Sequence, residues 1–329
     1  MLRAQKKLMK NTVRLTVLFI LLSAVISLAV FARLRIEELK ELPFSQQAAR
    51  RFSGQSGKRF VQISAFFHPN DGVSEFHILF FNEALQAGLR ASGNGENGSG
   101  NPLIHAFSAP STLAVQSARG TFNLEALGVG GDFFFFHPYT LMYGSLMENP
   151  AGNGIIVNDR AAWMLFGAVD VVGLPVLIHG EAYVVSGIVS LENDRASRDA
   201  LSGTDCMVFV PYAVIGTGVT CYETVLPEPV MGYGEYLFAN LGLENTVVNS
   251  TRYSSSAIRK AIRSLPAYSM DAFAASLPYW ENAAKNIETR IILWTILLYF
   301  WSLPVIALLV LILVLPLIKH VIRSVKTRA

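Results

Sequence analysis

Residues 291–318 read IILWTILLYFWSLPVIALLVLILVLPLI. These 28 residues carry no charge, and Arg290 and Lys319 close them off on either side. Crossing a bilayer takes about 20 apolar residues at ~1.5 Å rise each, so the stretch spans with tilt or begins outside the hydrocarbon. Trp294, Tyr299 and Trp301 occupy its first third, where an interfacial aromatic belt belongs. Pro304 and Pro316 are tolerable in a membrane helix. Directly upstream, Tyr279 to Arg290 (YWENAAKNIETR) has a helical pattern and no breaker. The sequence therefore predicts one helix that enters the span from outside it.

Towards the other end lies a second uncharged stretch, Leu15 to Ala32, between Arg14 and Arg33. It reads as an uncleaved anchor. Its 18 residues exceed the usual apolar region of a signal peptide, Arg33 and Arg35 follow at once, and Ala29–Val30–Phe31–Ala32 is a poor cleavage site. Charge is segregated around these two stretches. Residues 1–14 hold five basic residues and no acidic one, and residues 319–329 hold four and none. All 24 acidic residues fall between Glu37 and Glu288. The formal net charge of +3 thus divides into a +5 tail, a −6 body and a +4 tail. Positively charged flanks stay in the cytoplasm, so both tails are expected inside and residues 33–290 outside. With 52% hydrophobic and 16% charged residues and a mean hydropathy of +0.39, the composition argues against a disordered, collagen-like or fully soluble protein. The basic tails read as orientation signals and contacts for membrane lipids, with no nucleic acid implied. Eleven residues after the second span are too few for an output domain, so signalling through a cytoplasmic domain of its own is not expected.

The outer segment is large enough for one big domain or two small ones. Phe60 to Phe67 (FVQISAFF) reads as a strand apolar on both faces, Pro69–Asn70–Asp71–Gly72 as a turn, and Val73 to Arg90 as a helix. Residues 92–101 (SGNGENGSGN) read as a flexible loop. Strands are expected at about 103–107, 111–117 and 121–128, a helix at 233–241 and a strand at 245–249. The first and last parts together give the βαββαβ order of a ferredoxin-like lobe. Residues 129–230 form a β-rich insertion in it. Within the insertion, 154–158 is a strand and Asp159 a candidate N-cap for the helix to Phe166, which Gly167 stops. Residues 175–179 and 182–189 form a hairpin over His179–Gly180–Glu181, and 207–212 and 222–226 are further strands. The fold class is an α+β membrane protein: two transmembrane helices flanking a two-lobed extracytoplasmic domain.

The chemistry-bearing motifs are missing. Gly54–Gln55–Ser56–Gly57–Lys58–Arg59 has the wrong glycine spacing for a phosphate loop, and there is no Gly-x-Ser-x-Gly elbow or His-Glu-x-x-His. Gly128, Gly130 and Gly131 read as a tight turn after a strand. His68, Asp71, Glu75 and His77 cluster within ten residues, but turn and cap roles explain them better than a metal site. Phe133 to Phe136 read as buried rather than as a docking patch. Cys206 and Cys221 flank two candidate strands on the oxidising side; a disulfide, worth about 3 kcal/mol, and a pair of buried thiols both stay open. No catalytic, cofactor-binding or metal-binding residue is assigned, so an enzyme is not expected.

Residues 124–190 carry an ordered series of signals. A strand ends near a Gly/Asp-aromatic turn. A short strand and a helix ending Leu165–Phe166–Gly167 follow, then Val172–Gly173 before a strand, and then Val185–Ser186–Gly187–Ile188. Asp205–Cys206–Met207–Val208–Phe209–Val210–Pro211 matches the strand and proline that come next. This order resembles the MacB-like periplasmic core domain of ABC transporter permeases. The resemblance implies a ferredoxin-like lobe with an inserted lobe, no transport through the spans themselves, and motion transmitted from a cytoplasmic ATPase in another chain. Members usually have four spans, whereas this sequence has two. The resemblance therefore implies an accessory or half-permease in a bacterial plasma membrane, acting with a second permease subunit or as a homodimer. A stand-alone anchored module that binds or senses an envelope component is the alternative.

Overall fold

The computed structural model describes residues 2–56, 58–91, 103–147, 152–201, 206–243, 245–264 and 277–326. The glycine-rich stretch 92–101 lies outside them. The chain divides into two units, one made of Met1–Glu41 with Glu288–Ala329 and the other of Leu42–Ile287.

In the first unit, α1 (Leu2–Glu41) and the greater part of α9 (Tyr279–Lys326) are single unbroken helices. Leu15–Glu41 and Tyr279–Leu308 are long and apolar enough to cross a membrane. Their large apolar side chains, among them Phe19, Ile20, Phe300 and Leu303, face outward, which suits a lipid solvent and not water. α1 continues nine residues beyond the expected end at Ala32. The Arg35–Glu38 and Lys40–Glu37 pairs, at 2.7 and 3.0 Å, hold this extension at i,i+3 spacing.

The second unit is built on one ten-stranded sheet in the order β10-β1-β9-β2-β3-β8-β5-β7-β4, with β6 pairing with β2 and β7. The strands are β1 (Phe60–Phe66), β2 (Ile104–Ser117), β3 (Gly120–Gly131), β4 (Thr140–Gly144), β5 (Gly154–Asn158), β6 (Pro175–Ile178), β7 (Glu181–Ser190), β8 (Met207–Pro211), β9 (Cys221–Pro227) and β10 (Thr246–Val248). The helices are α2 (Ala48–Ser56), α3 (Glu75–Ala91), α4 (Phe133–Phe136), α5 (Asp159–Phe166), α6 (Arg195–Ala200), α7 (Tyr233–Ala239) and α8 (Ser255–Arg263).

All seven residues of β1 are buried, the polar Gln62 and Ser64 on one face among them. It lies between β10 and β9, antiparallel to both. β9 also pairs with the first five residues of β2. Tyr222 to Leu226, expected inside the insertion, therefore sit between the two strands that open the domain. The strands expected at 103–107 and 111–117 are one strand, β2. On the side away from β3, β2 pairs with β9 through Ile104–Ser108 and with β6 at Val115–Gln116. Pro110 falls in the gap between these pairings, where a missing N–H breaks no ladder on that side.

β2 and β3 form a long hairpin in which Gly128 and Gly130 are strand residues, not a turn. A Cβ on Gly130 would come within 2.2 Å of the Phe107 ring, so the packing itself demands glycine there. The β6–β7 hairpin turns on His179 and Gly180, both at positive φ, as a two-residue loop matching strand twist requires. Asn158, not Asp159, caps α5: its side chain accepts from Ala161 N at 2.9 Å and from Met207 N at 3.1 Å. Gly167 ends that helix at φ 75°.

Three apolar clusters fill the unit. Ile78, Leu85 and Leu89 of α3 pack with Val61, Ile63, Leu226 and Phe238. Ala161, Ala162 and Leu165 of α5 pack with β5, β7 and β8. Phe133, Phe136, Phe209 and Trp280 form the third. Two of the four consecutive phenylalanines are thus fully buried and the other two pack against that cluster.

Cys206 and Cys221 are not bonded to each other. Cys206 leads into β8 and Cys221 opens β9, and β2 and β3 lie between those strands. Three strand spacings of about 4.8 Å far exceed the ~7 Å Cα limit of a disulfide.

Candidate functional site

The apolar interior of the second unit encloses a cluster of polar side chains around the first turns of α9. On β1, Gln62 and Ser64 alternate with Val61, Ile63 and Ala65, so both polar groups point to the side where α2 and the 249–252 turn pack. Gln62, fully buried, donates to Ser45 O at 2.6 Å and accepts from Ala48 N at 2.8 Å, fixing the start of α2. Ser64 accepts from Asn249 Nδ2 at 2.7 Å and donates to Glu223 Oε1 at 3.2 Å.

Glu223, on β9, is 2% exposed. Its second oxygen meets His137 Nε2 at 2.5 Å. His137, fully buried, stacks on Phe133 at 4.4 Å and lies 4.3 Å from the Trp280 ring. Its Nδ1 has no hydrogen-bond partner. A buried N–H without an acceptor is costly, so the proton belongs on Nε2, where it is donated to the Glu223 carboxylate. Arg51 of α2 donates to the carbonyls of Phe44, Phe135 and Phe136. Burial lowers the pKa of its guanidinium, and nearby Glu223 opposes the shift.

A second strand of the cluster holds α9 directly. Arg252 Nη1 donates to Glu281 Oε2 at 2.8 Å, with both side chains almost completely buried. Tyr279 donates to Glu192 Oε2 at 2.8 Å, which leaves Tyr139 as the donor in the 2.6 Å contact between the two phenols. Burial, reinforced by Glu192, keeps the Tyr139 phenol protonated well above its usual range. Tyr253 reaches Ala284 O at 3.4 Å. One turn and a half of α9 is thereby held by a buried ion pair, a partly buried phenol chain and the buried Trp280 ring.

Glu223 and His137 are both buried in this cluster. What it does physically is fix orientation: a buried ion pair is costly to break by one partner, and polar networks of this kind admit few alternative arrangements.

The His68, Asp71, Glu75 and His77 group singled out in the sequence lies elsewhere. His68 caps the short helical turn at Pro69–Asp71, accepting from Asn70 N at 3.3 Å. His77 accepts from Ser74 N at 3.1 Å. Asp71 accepts from His68 N at 2.7 Å. The turn and cap reading describes these groups, and the described residues include no group of three or more His, Cys, Asp or Glu placed to hold a metal. The Cys221 thiol, pushed up by burial and then by Glu223 and Glu281, borders the cluster. No sequence motif marked the cluster. The available signal was a carboxylate in an apolar strand (Glu223) and another in the first turn of a long apolar helix (Glu281).

The geometry defines a mixed α/β chain: a sheet-rich domain, with two apolar helices of membrane-spanning length, the second rooted in a buried polar cluster. Among solved structures, it is similar to the periplasmic region of MacB from Actinobacillus actinomycetemcomitans, with a TM-score of 0.38 and 15% identity over 61% of this chain and 92% of that one. It is also similar to the extracellular domain of the noncanonic ABC-type transporter YknZ from Gram-positive bacteria (TM-score 0.36, 15% identity, 58% and 99% covered). A third is a domain of a putative permease protein from Porphyromonas gingivalis (TM-score 0.33, 12% identity, 56% and 83% covered). No family model matches the chain, and no curated protein matches it in sequence.

Proposed function

We propose that this chain is a non-catalytic membrane subunit of a MacB-type ABC transporter, coupling ATPase-driven helix motion to its extracytoplasmic domain. The observation that carries the reading is α9: helical from Tyr279 to Lys326, uncharged over 291–318, and held at its first turns by the Arg252–Glu281 pair and the Tyr139–Tyr279–Glu192 chain. A helix gripped by buried, oriented groups transmits a push or a twist. One entering through a loose loop does not.

In this reading residues 1–14 and 319–329 are cytoplasmic tails, 15–32 and 291–318 cross the plasma membrane, and 33–290 are extracytoplasmic. The antiparallel strands β10-β1-β9-β2, with α3 and α7, are the ferredoxin-like lobe, and most of the chain between β2 and β9 is the inserted lobe. The ATP-hydrolysing subunit is a separate cytoplasmic chain, and a second permease subunit or a second copy completes the membrane part.

Chemical crosslinking in native membranes followed by purification of the full chain tests this. An ABC ATPase should co-purify. Recovery of the chain without one, under conditions that retain other ABC complexes, overturns the reading.

A further inference from the structure

The first half of α3 is apolar on two faces. Ile78 and Leu85 are buried in the domain core. On the opposite face Phe76 is 74% exposed, Phe80 59% and Leu79 54%. Spacings of three and four residues place these three side chains together on one surface. A helix apolar on both sides is ordinarily covered on both. Among the described residues only one side is covered, and the uncovered side presents two phenylalanines and a leucine within about 6 Å of helix length at 1.5 Å per residue.

The surroundings of this face are acidic. Asp71 precedes the helix, Glu75 opens it, and Glu83 follows Phe80 by one turn; all three are exposed. Glu75 and Glu83 form no ion pair among the described residues. The two histidines here, His68 and His77, are engaged as acceptors of backbone N–H groups, and the Tyr212 phenol lies near Glu75. The basic residue of α3, Arg90, is ten positions beyond Phe80, about 15 Å along the axis, and its side chain turns back to Gln86 O. Neighbouring α7, whose Tyr233 donates to Gly88 O at 3.1 Å, repeats the pattern with Tyr236 at 61% exposure beside exposed Glu235.

From this geometry we infer that the outward face of α3 docks an extracytoplasmic protein segment whose apolar side chains are flanked by Lys or Arg. Apolar burial of Phe76, Leu79 and Phe80 supplies the affinity, and the acidic surround selects the partner. A second copy of this chain would bring the same acidic rim against itself, and an anionic lipid surface would be repelled by it. This inference goes beyond the transporter reading and does not depend on it.

The test uses the full chain in nanodiscs of zwitterionic lipid, with the photo-crosslinker p-benzoylphenylalanine replacing Phe80. Two synthetic peptides share one Leu/Phe helical face; one is flanked by lysines and its twin by glutamates. The lysine peptide should crosslink, at least ten-fold more than the twin. Its capture should fall steeply with added salt. The exposed double change E75K/E83K should lose at least ten-fold of that capture and gain capture of the glutamate twin, at an unchanged melting temperature. Equal capture of both peptides, or capture indifferent to charge reversal, overturns the proposal. So does a dominant crosslink to a second copy or to lipid, each of which names a different occupant. Loss of the ATPase from the purified complex would bear on the transporter reading and leave this outcome untouched.

Discussion

Glu281 illustrates how much one buried carboxylate decides. Replacing it with Ala leaves the Arg252 guanidinium buried without its anion, at an expected cost of about 3–5 kcal/mol. The denaturation midpoint of the sheet-rich domain should fall accordingly. The double change R252M/E281M should recover most of the loss, since an apolar pair of similar volume fits the same site. Recovery separates the cost of an orphaned charge from the cost of lost packing. His105 gives a pH-dependent counterpart. Burial lowers its pKa from the ordinary 6.5, with Asp132 opposing. The folded form therefore binds fewer protons than the unfolded one, and stability rises with pH through that window. Acidification below about pH 6.5 should destabilise the domain, and H105Q should flatten that part of the stability–pH curve. Cys221, whose thiol is held protonated by burial, should stay unreactive toward maleimide at neutral pH until the domain unfolds.

Elements show where sequence reading works and where it stops. The hairpin over His179–Gly180 and the strand at 154–158 were legible because turn chemistry and short apolar runs are local signals. The continuity of β2 was not, because Pro110 normally argues against a strand interior and is harmless here only through the gap between β9 and β6. The place of β9 was also hidden: its residues read as a strand, but nothing local says which strands flank it. The polar cluster draws on Gln62, His137, Glu223, Arg252 and Glu281, which the chain scatters over more than 200 positions. A lone Glu223 between apolar neighbours looks like the outward face of an alternating strand. At this scale two substitutions test the packing. N158A removes an acceptor shared by Ala161 N and Met207 N and should cost about 1–2 kcal/mol in unfolding free energy. G130A meets the Phe107 ring and should cost about 1–3 kcal/mol; trimming that ring with F107L should restore part of it.

For the molecule as a whole, the segregation of charge carried the most information. Two uncharged stretches and two basic tails located the helices of membrane-spanning length, and both are single helices in the structure. The expected topology has a direct check. Trypsin added outside spheroplasts should cut within residues 33–290 and spare tags placed at either terminus. Cleavage of a terminal tag from outside would reverse the orientation.

The position of β1 also dictates an order of assembly. Its two neighbours, β9 and β10, begin at Cys221 and Thr246. A chain emerging from its N-terminus therefore delivers β1 some 155 residues before the first strand it can pair with. The β2–β3 hairpin meanwhile closes on itself at once. A segment buried on both faces in the finished domain must wait, with both edges open, while most of the rest of the domain is synthesised. Long-range pairing of this kind is slow and prone to wrong partners. The nascent domain should thus depend on a holding chaperone until β9 arrives, and chains truncated before Cys221 should aggregate or be degraded rather than accumulate as a stable half-domain.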